Sequence, residues 1–494
     1  MFLPLLIVVP FFGAFLCWQS ERFNYKLPRW IALITMGIVL SYILKIWCYK
    51  FNLGIQPPFQ LDNWLIEFFI RWIPKLGIDI HLGVDGLSIL MLSLTVFFGI
   101  VSILCSWNHI NRYQGLFYFN LMWLLGAIIG LFLSIDLFLF LFFWEIMIIP
   151  MYFLIILWGY KAFDSQKNID SANKFFIYSQ LSGLLLLIGI LTLVFTHYCV
   201  THEWTFNYNL LIKTPMSQEL EYFLMFCFFL AFIIKIPVIP FHTWLPEVHS
   251  YSPISGVLDL SGLLLKTAIY GLLRFSLPFF PHVLSSFSKF AICIGLISMF
   301  YSAWMAFSQN NIKKVVAYSS ISNMGLMLIA IYVNNIISFQ GVMIQILSHS
   351  ISIAALFILI HQLYIILFTR NIKKMGGLWS NIGWIPAFFL FFIISNIGLP
   401  GTGNFVGELM MFIGIFNYSP ILSFVSLFIL IFSSVYSLYV IKKICFGKTK
   451  TCYEIKNIQC IEFVILIIFT LILISIGFFP TFILDTAYIA MYNF

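Results

Sequence analysis

Four ionisable side chains stand where apolar sequence would otherwise run on: Glu145 in FFWEIMIIP, Lys235 in FIIKIPVIP, Lys266 in GLLLKTAIYG and Glu408 in GNFVGELMM. Insertion scales charge about 2.5 to 3.5 kcal/mol for such a group at mid-membrane, on the order of 10 kcal/mol for the set, so something must offset or use them. Two acids and two bases on four segments suit a relay whose members exchange partners as protons move; a static ion pair is the plainer alternative. His242 and His249 follow Lys235, and His349 lies mid-way along a later apolar run. Each titrates near neutral pH and serves either a relay or a simple hydrogen bond to a neighbour. No His/Cys/Asp cluster has metal-ligand spacing, and neither a Ser-His-Asp set nor a phosphate loop is present, so no metal site and no covalent chemistry are predicted. GTGNFVG spaces its glycines as GxGxxxG between two apolar halves, unlike a dinucleotide loop.

The segments that position these groups are membrane helices. Of 494 residues, 62% are hydrophobic and 9% charged, against about a quarter charged in soluble domains. The fold class predicted is an all-α polytopic membrane protein with about fourteen transmembrane helices, because apolar runs of some twenty residues recur along the whole chain. Pro237 and Pro240 lack backbone N–H groups, so the span over 220–247, span seven, is predicted to unwind just after Lys235. Span twelve, 383–415, is predicted to break at GLPGTGNFVGE, residues Gly398 to Glu408. Broken helices at bilayer depth mark solute or ion paths; for span seven a proline kink with a snorkelling lysine is the alternative.

Spans four to eight and nine to thirteen form two groups of five, and an odd number forces opposite orientation, so two inverted five-helix repeats with broken helices 7 and 12 are predicted. The divisions are residues 1–110, an N-terminal three-helix segment; 111–280 and 281–446, the two repeats; and 447–494, a C-terminal helix. Loops after odd-numbered spans hold 17 of the 26 Lys and Arg residues, and loops after even spans only Lys50, Arg71, Lys75 and Lys213. The positive-inside rule then places odd loops and Cys452 in the cytoplasm and both termini outside. The same topology explains the net charge of +8 without nucleic acid. The alternating KLGIDIHLGVDG predicts a short hairpin at the membrane surface. The N-terminal MFLPLLIVVPFFGAFLCW lacks a basic start and a cleavage site and reads as the first span. Nine cysteines, scattered singly, give no haem or iron–sulfur spacing, so no redox centre is predicted in this chain.

WEIMIIPMYFLIILWG, KIPVIPFHTWLPEVHSYSP, LLLKTAIYGLLRF and GLPGTGNFVGE together resemble the antiporter-like subunits of respiratory complex I, over nearly the whole chain. The resemblance implies a proton-translocating membrane subunit of NADH:quinone oxidoreductase, a translocase in the bacterial inner membrane. It implies that Glu145 and Lys235 form a switching pair, Lys266 links two half-channels and Glu408 passes the proton outward. NADH, FMN, iron–sulfur clusters and quinone are implied for other subunits, and the neighbouring antiporter-like and other membrane-arm subunits as partners. An Mrp-type cation/proton antiporter subunit, with the same helix core and lysine relay, is the alternative. One departure stands out: span ten reads SNMG where the family has SHMG, so Asn323 replaces a histidine and cannot titrate.

Overall fold

The computed structural model describes residues 3–52, 64–110, 112–159, 165–381, 383–447 and 460–491; Cys452 lies outside them. Backbone polar groups in hydrocarbon must satisfy one another, and apolar sequence of this length does so as helices. Among the described residues, 11 helices are long and apolar enough to cross a membrane, with two shorter apolar ones at Pro4–Ser20 and Ile385–Ile397.

The first half of the chain runs α1 (Pro4–Ser20), α2 (Leu27–Asn52), a hairpin of β1 (Ile66–Ile73) and β2 (Ile78–Val84), α3 (Gly86–Ser106), α4 (Gln114–Leu133), α5 (Leu137–Ile146), α6 (Ile148–Trp158), α7 (Ser165–Thr201), the single turn α8 (Tyr208–Leu211) and α9 (Gln218–Lys235). Then come α10 (Trp244–Tyr251), α11 (Ile254–Asp259), α12 (Leu265–Gly271), α13 (Leu277–Phe279), α14 (Pro281–Ser308), α15 (Ile312–Tyr332) and α16 (Ile336–Leu367). The last part holds α17 (Leu378–Asn381), α18 (Ile385–Ile397), α19 (Gly403–Tyr418), α20 (Pro420–Ile444), α21 (Cys460–Phe478) and α22 (Thr481–Met491). The predicted hairpin is present, antiparallel, with Ile66 opposite Val84 and Ile70 opposite Ile80.

The chain forms two compact units. The first comprises Met1–Ile236, Leu263–Phe287 and Asp485–Phe494, the second Pro237–Gly262 and Ser288–Leu484. In the first, α1 packs on α2 and α4, and α7 on α6 and α9. Its hairpin is tied down by Ile135 N–H donating to the His81 carbonyl at 3.0 Å and by Asn207 Nδ2 meeting His81 Nδ1 at 3.1 Å. Asp85 caps α3 through the Ser88 N–H at 2.8 Å and accepts from Arg274 Nη1 at 2.8 Å; the guanidinium lies 3.9 Å from the Trp64 ring centroid. Asp136 caps α5 by accepting from Phe138 N–H at 2.8 Å. In the second unit the 32-residue α16 is the axis, packed by α15, α18, α19 and α21.

Three features were not foreseen. The fifth apolar span is interrupted at Met147, between α5 and α6 and two residues after Glu145. The eighth carries two π-helical turns, Leu260–Leu264 and Leu272–Ser276, on either side of Lys266. The deep charges also exceed the expected four, since Asp259 and Arg274, on the same span as Lys266, are buried as well.

Candidate functional site

Lys235 is the last residue of α9 and is 2% exposed. The helix stops there because Pro237 and Pro240 offer no N–H to the carbonyls one turn back. A lysine at that end meets the negative pole of the helix dipole. Its ammonium lies 3.7 Å from the ring centroid of Trp144 and 3.6 Å from Met147 Sδ. Cation–π contact of a desolvated ammonium contributes about 2 kcal/mol, which offsets much of the cost of burying the charge.

Glu145 follows Trp144 on α5, and its carboxylate turns to α7, where Gln180 Nε2 donates to Oε2 at 2.8 Å. One turn further along α7 is Gly183, and a Cβ added there would overlap Glu145 Oε1. Only glycine leaves that space. Glu145 and Lys235 are electrostatic neighbours, but in this state each has its own partner, one an amide and the other an aromatic face. Lys266, on α12 in the same unit, is 0% exposed, and π turns of the kind that bracket it occur frequently at functional sites.

The second unit holds His242, His349 and Glu408. His242 lies between α9 and α10, with its ring 5.3 Å from that of Tyr301 and 6.3 Å from that of Tyr318. His249, on α10, packs edge-on against Phe357 at 4.8 Å. His349 is buried midway along α16.

Glu408 is 4% exposed in the second turn of α19, after the interruption between α18 and α19. Gln345 Nε2 on α16 donates to its Oε1 at 3.4 Å. Gly398 closes α18 at φ +98, a conformation L side chains rarely adopt, and a Cβ there would sit 2.7 Å from Glu408 Oε2. An apolar cavity of about 350 Å³ lies against this carboxylate, lined by Phe405, Phe412, Phe416 and Leu427 among others. Asn323 Nδ2 donates to Asn396 Oδ1 at 3.5 Å.

The residues missed from sequence are therefore the neighbours of the charges: Trp144 and Met147 beside Lys235, Gln180 and Gly183 beside Glu145, and Gln345 and Gly398 beside Glu408. A signal existed for the two glutamines, since each is an uncharged amide inside an apolar run, IYSQLSG and MIQILS. None of this geometry offers a metal cluster; no group of three or more His, Cys, Asp or Glu side chains converges among the described residues.

The chain matches the family model described as NADH:quinone oxidoreductase/Mrp antiporter, TM, over residues 134–436. It is 51% identical to NADH-quinone oxidoreductase subunit M of Escherichia coli (strain K12) over 496 residues, which span 100% of this chain and 97% of that one. The protein of the same name in Pseudomonas aeruginosa is 47% identical, again with 100% and 97% covered. In fold the chain is similar to one in respiratory complex I from Thermus thermophilus with bound NADH, at a TM-score of 0.85 and 23% identity, covering 100% of this chain and 99% of that one. It is also similar to a chain of the Mrp complex from a Dietzia species, at a TM-score of 0.85 and 20% identity, covering 99% of this chain and 52% of that one. At such identities these structures show the fold alone. The chain belongs to the NADH:quinone oxidoreductase/Mrp antiporter family of transmembrane proteins.

Proposed function

We propose that this chain is a proton-translocating membrane subunit of an NADH:quinone oxidoreductase, carrying one proton path driven by electron transfer in other chains. The observation that carries this reading is Lys235, buried where its helix ends and held on Trp144 while the nearby carboxylate of Glu145 is held by Gln180. A base and an acid kept close but apart can pair when a proton arrives and part when it leaves. In the proposed path Glu145 and Lys235 are the switching pair, Lys266 links the half-channels, Glu408 passes the proton outward, and His242 and His349 bridge water between fixed charges. In this reading NADH, FMN, iron–sulfur clusters and quinone bind to other chains of the complex, and this chain's own partners are the neighbouring antiporter-like and other membrane-arm subunits.

The organisation that suits this path has fourteen spans in the bacterial inner membrane, with both termini outside and two inverted five-helix repeats over 111–280 and 281–446. The interruptions after Lys235 and before Glu408 are then corresponding breaks in the two repeats. The Mrp-type antiporter reading shares the fold, but the relatives matched from end to end carry the oxidoreductase name. The purified assembly, reconstituted in vesicles, tests the choice. NADH with a quinone should drive proton uptake into the vesicle lumen equally well in sodium and in choline salts. Proton movement that needs sodium and ignores NADH would replace this reading with the antiporter one.

A further inference from the structure

Within the second unit a polar line runs off the path of the four charged residues. Asn323 Nδ2 donates to Asn396 Oδ1, and Asn396 Nδ2 to Ser319 Oγ, both at 3.5 Å. That length is the outer limit of a hydrogen bond, where a bridging water is the natural complement. Beside it lies a cavity of about 20 Å³, whose polar lining is Ser319, Asn396, Tyr436 and Ser437 and whose apolar lining includes Val316 and Val440. A water needs about 10–15 Å³ and two to four polar partners, so the cavity has room for one and the side chains to hold it. Ser319 Oγ donates to the Val316 carbonyl at 2.8 Å, accepts from Asn396 Nδ2 and is hydrogen-bonded with the Tyr436 hydroxyl, so the second N–H of the Asn396 amide and the Ser437 hydroxyl are the groups that face a water in the cavity.

The position of the cavity is informative. Ser319 lies about 10 Å and Asn323 about 16 Å along α15 from its start, and Tyr436 about 12 Å before the end of α20. Those two helix ends carry Lys313, Lys442 and Lys443, the charge that marks a cytoplasmic face. Glu408 is an electrostatic neighbour of the Tyr436 hydroxyl, which lines the cavity beside Ser319.

We propose that this cavity is a binding site for a single water, and that Ser319, Asn396 and Tyr436 position that water as the cytoplasmic-side input to the second unit. The proposal rests on the proton-path reading. The water takes up a proton arriving from the cytoplasmic side and gives one up toward Glu408; O–H bonds break and form in equal number and no electron moves. Asn396, which cannot titrate, orients the water.

The test uses the whole assembly in vesicles, with pumping expressed per NADH oxidised by an artificial acceptor and subunit content measured alongside. Val440→Leu adds one methylene to the cavity and touches no polar atom, Asn396→Leu removes both amide contacts, and Tyr436→Phe removes one hydroxyl. Val440→Leu and Asn396→Leu should each lower pumping about tenfold, the scale of one hydrogen bond with its desolvation. Asn396→Asp, which keeps an acceptor for the water, should restore it to within about twofold. If Asn396→Leu does not assemble, the other two variants decide. Wild-type pumping in both Val440→Leu and Tyr436→Phe, beside a Glu145→Gln complex that has stopped, would overturn the water site alone. Normal pumping in Glu145→Gln as well would bring down the proton-path reading and this site with it.

Discussion

The two buried carboxylates, Glu145 and Glu408, are housed alike and provisioned differently. Each accepts from a glutamine amide on another helix, at 2.8 Å from Gln180 and 3.4 Å from Gln345, and each presses against a glycine, Gly183 or Gly398. Around Glu145 there is also a buried ammonium on an aromatic face and a helix interruption at Met147. Around Glu408 there is instead an apolar cavity, with a line of uncharged amides and hydroxyls nearby. A carboxylate with a cation as neighbour can exchange partners; one with only dipoles around it can take and release a proton without moving another charge. The first arrangement suits a switch and the second an exit. Driving one proton against 100 mV costs about 2.3 kcal/mol. A site whose proton affinity changes by two pKa units supplies about 2.7 kcal/mol, so a carboxylate of either kind is sufficient and a neutral residue is not.

The largest expected effect breaks the first site. Glu145→Gln should cut pumping on the order of 10²-fold, the range for losing a positioned acid or base, while Glu145→Asp keeps much of it. Equal pumping in the two variants, assayed on vesicles with equal subunit content, would make Glu145 a packing residue.

Substitutions that leave every charge in place sharpen the comparison. Gly183→Ala drives a methyl into Glu145 Oε1, whereas Gly398→Ala strains a φ of +98 and only crowds Glu408 Oε2 at 2.7 Å. Overpacking of this kind costs about 1–3 kcal/mol. Gly183→Ala should lower pumping about tenfold and Gly398→Ala less, read as initial rates of vesicle acidification. The reverse order would mean that the glycines do not hold the carboxylates.

A smaller effect is expected at Asn323. If that side chain only orders water, Asn323→His keeps a polar partner and should pump normally, and Asn323→Leu should lower pumping by about half, as expected for one hydrogen bond among several. Wild-type rates in the leucine variant would remove Asn323 from the path.

The smallest effect lies outside the apolar helices, at the hairpin. Burial, the main influence, holds the His81 imidazole below its usual value of 6.5, with Glu67, 3.5 Å away, acting in the opposite direction. The folded hairpin therefore binds fewer protons than the unfolded chain below pH 6.5. Its contribution is complete above that pH and is lost as pH falls toward the folded value. Amide exchange in β1 and β2, corrected for intrinsic rates, should be faster at about pH 5 than at about pH 7.5, and this difference should vanish in His81→Asn. An unchanged difference in that variant would assign the pH effect elsewhere.

The charged members of the site were legible because a lone ion in an apolar run has no cheap explanation, and this singled out Glu145, Lys235, Lys266 and Glu408. The interruption after Lys235 was legible too, since two prolines remove N–H donors whatever packs nearby. The neighbours of these groups were not. Gln180 is 35 positions from Glu145, and nothing local in YSQLSG says which carboxylate its amide will meet. Gly183 reads as an ordinary small residue until Glu145 is placed against it. The π turns around Lys266 depend on hydrogen-bond register, which hydropathy does not carry. Asp259 and Arg274 are a different case: each stands toward an end of the eighth apolar run, where a charge can reach water, and only the fold shows them buried.

Lys235→Met offers the most direct trial, because an unbranched, polarizable side chain one atom shorter still packs toward Trp144 while the charge and its N–H donors are removed. Proton pumping, NADH oxidation by an artificial acceptor and subunit content should be measured on the same vesicles. Pumping should be lost while electron entry and assembly remain at wild-type levels. Normal pumping from a complex carrying this variant would contradict a proton path through Glu145 and Lys235.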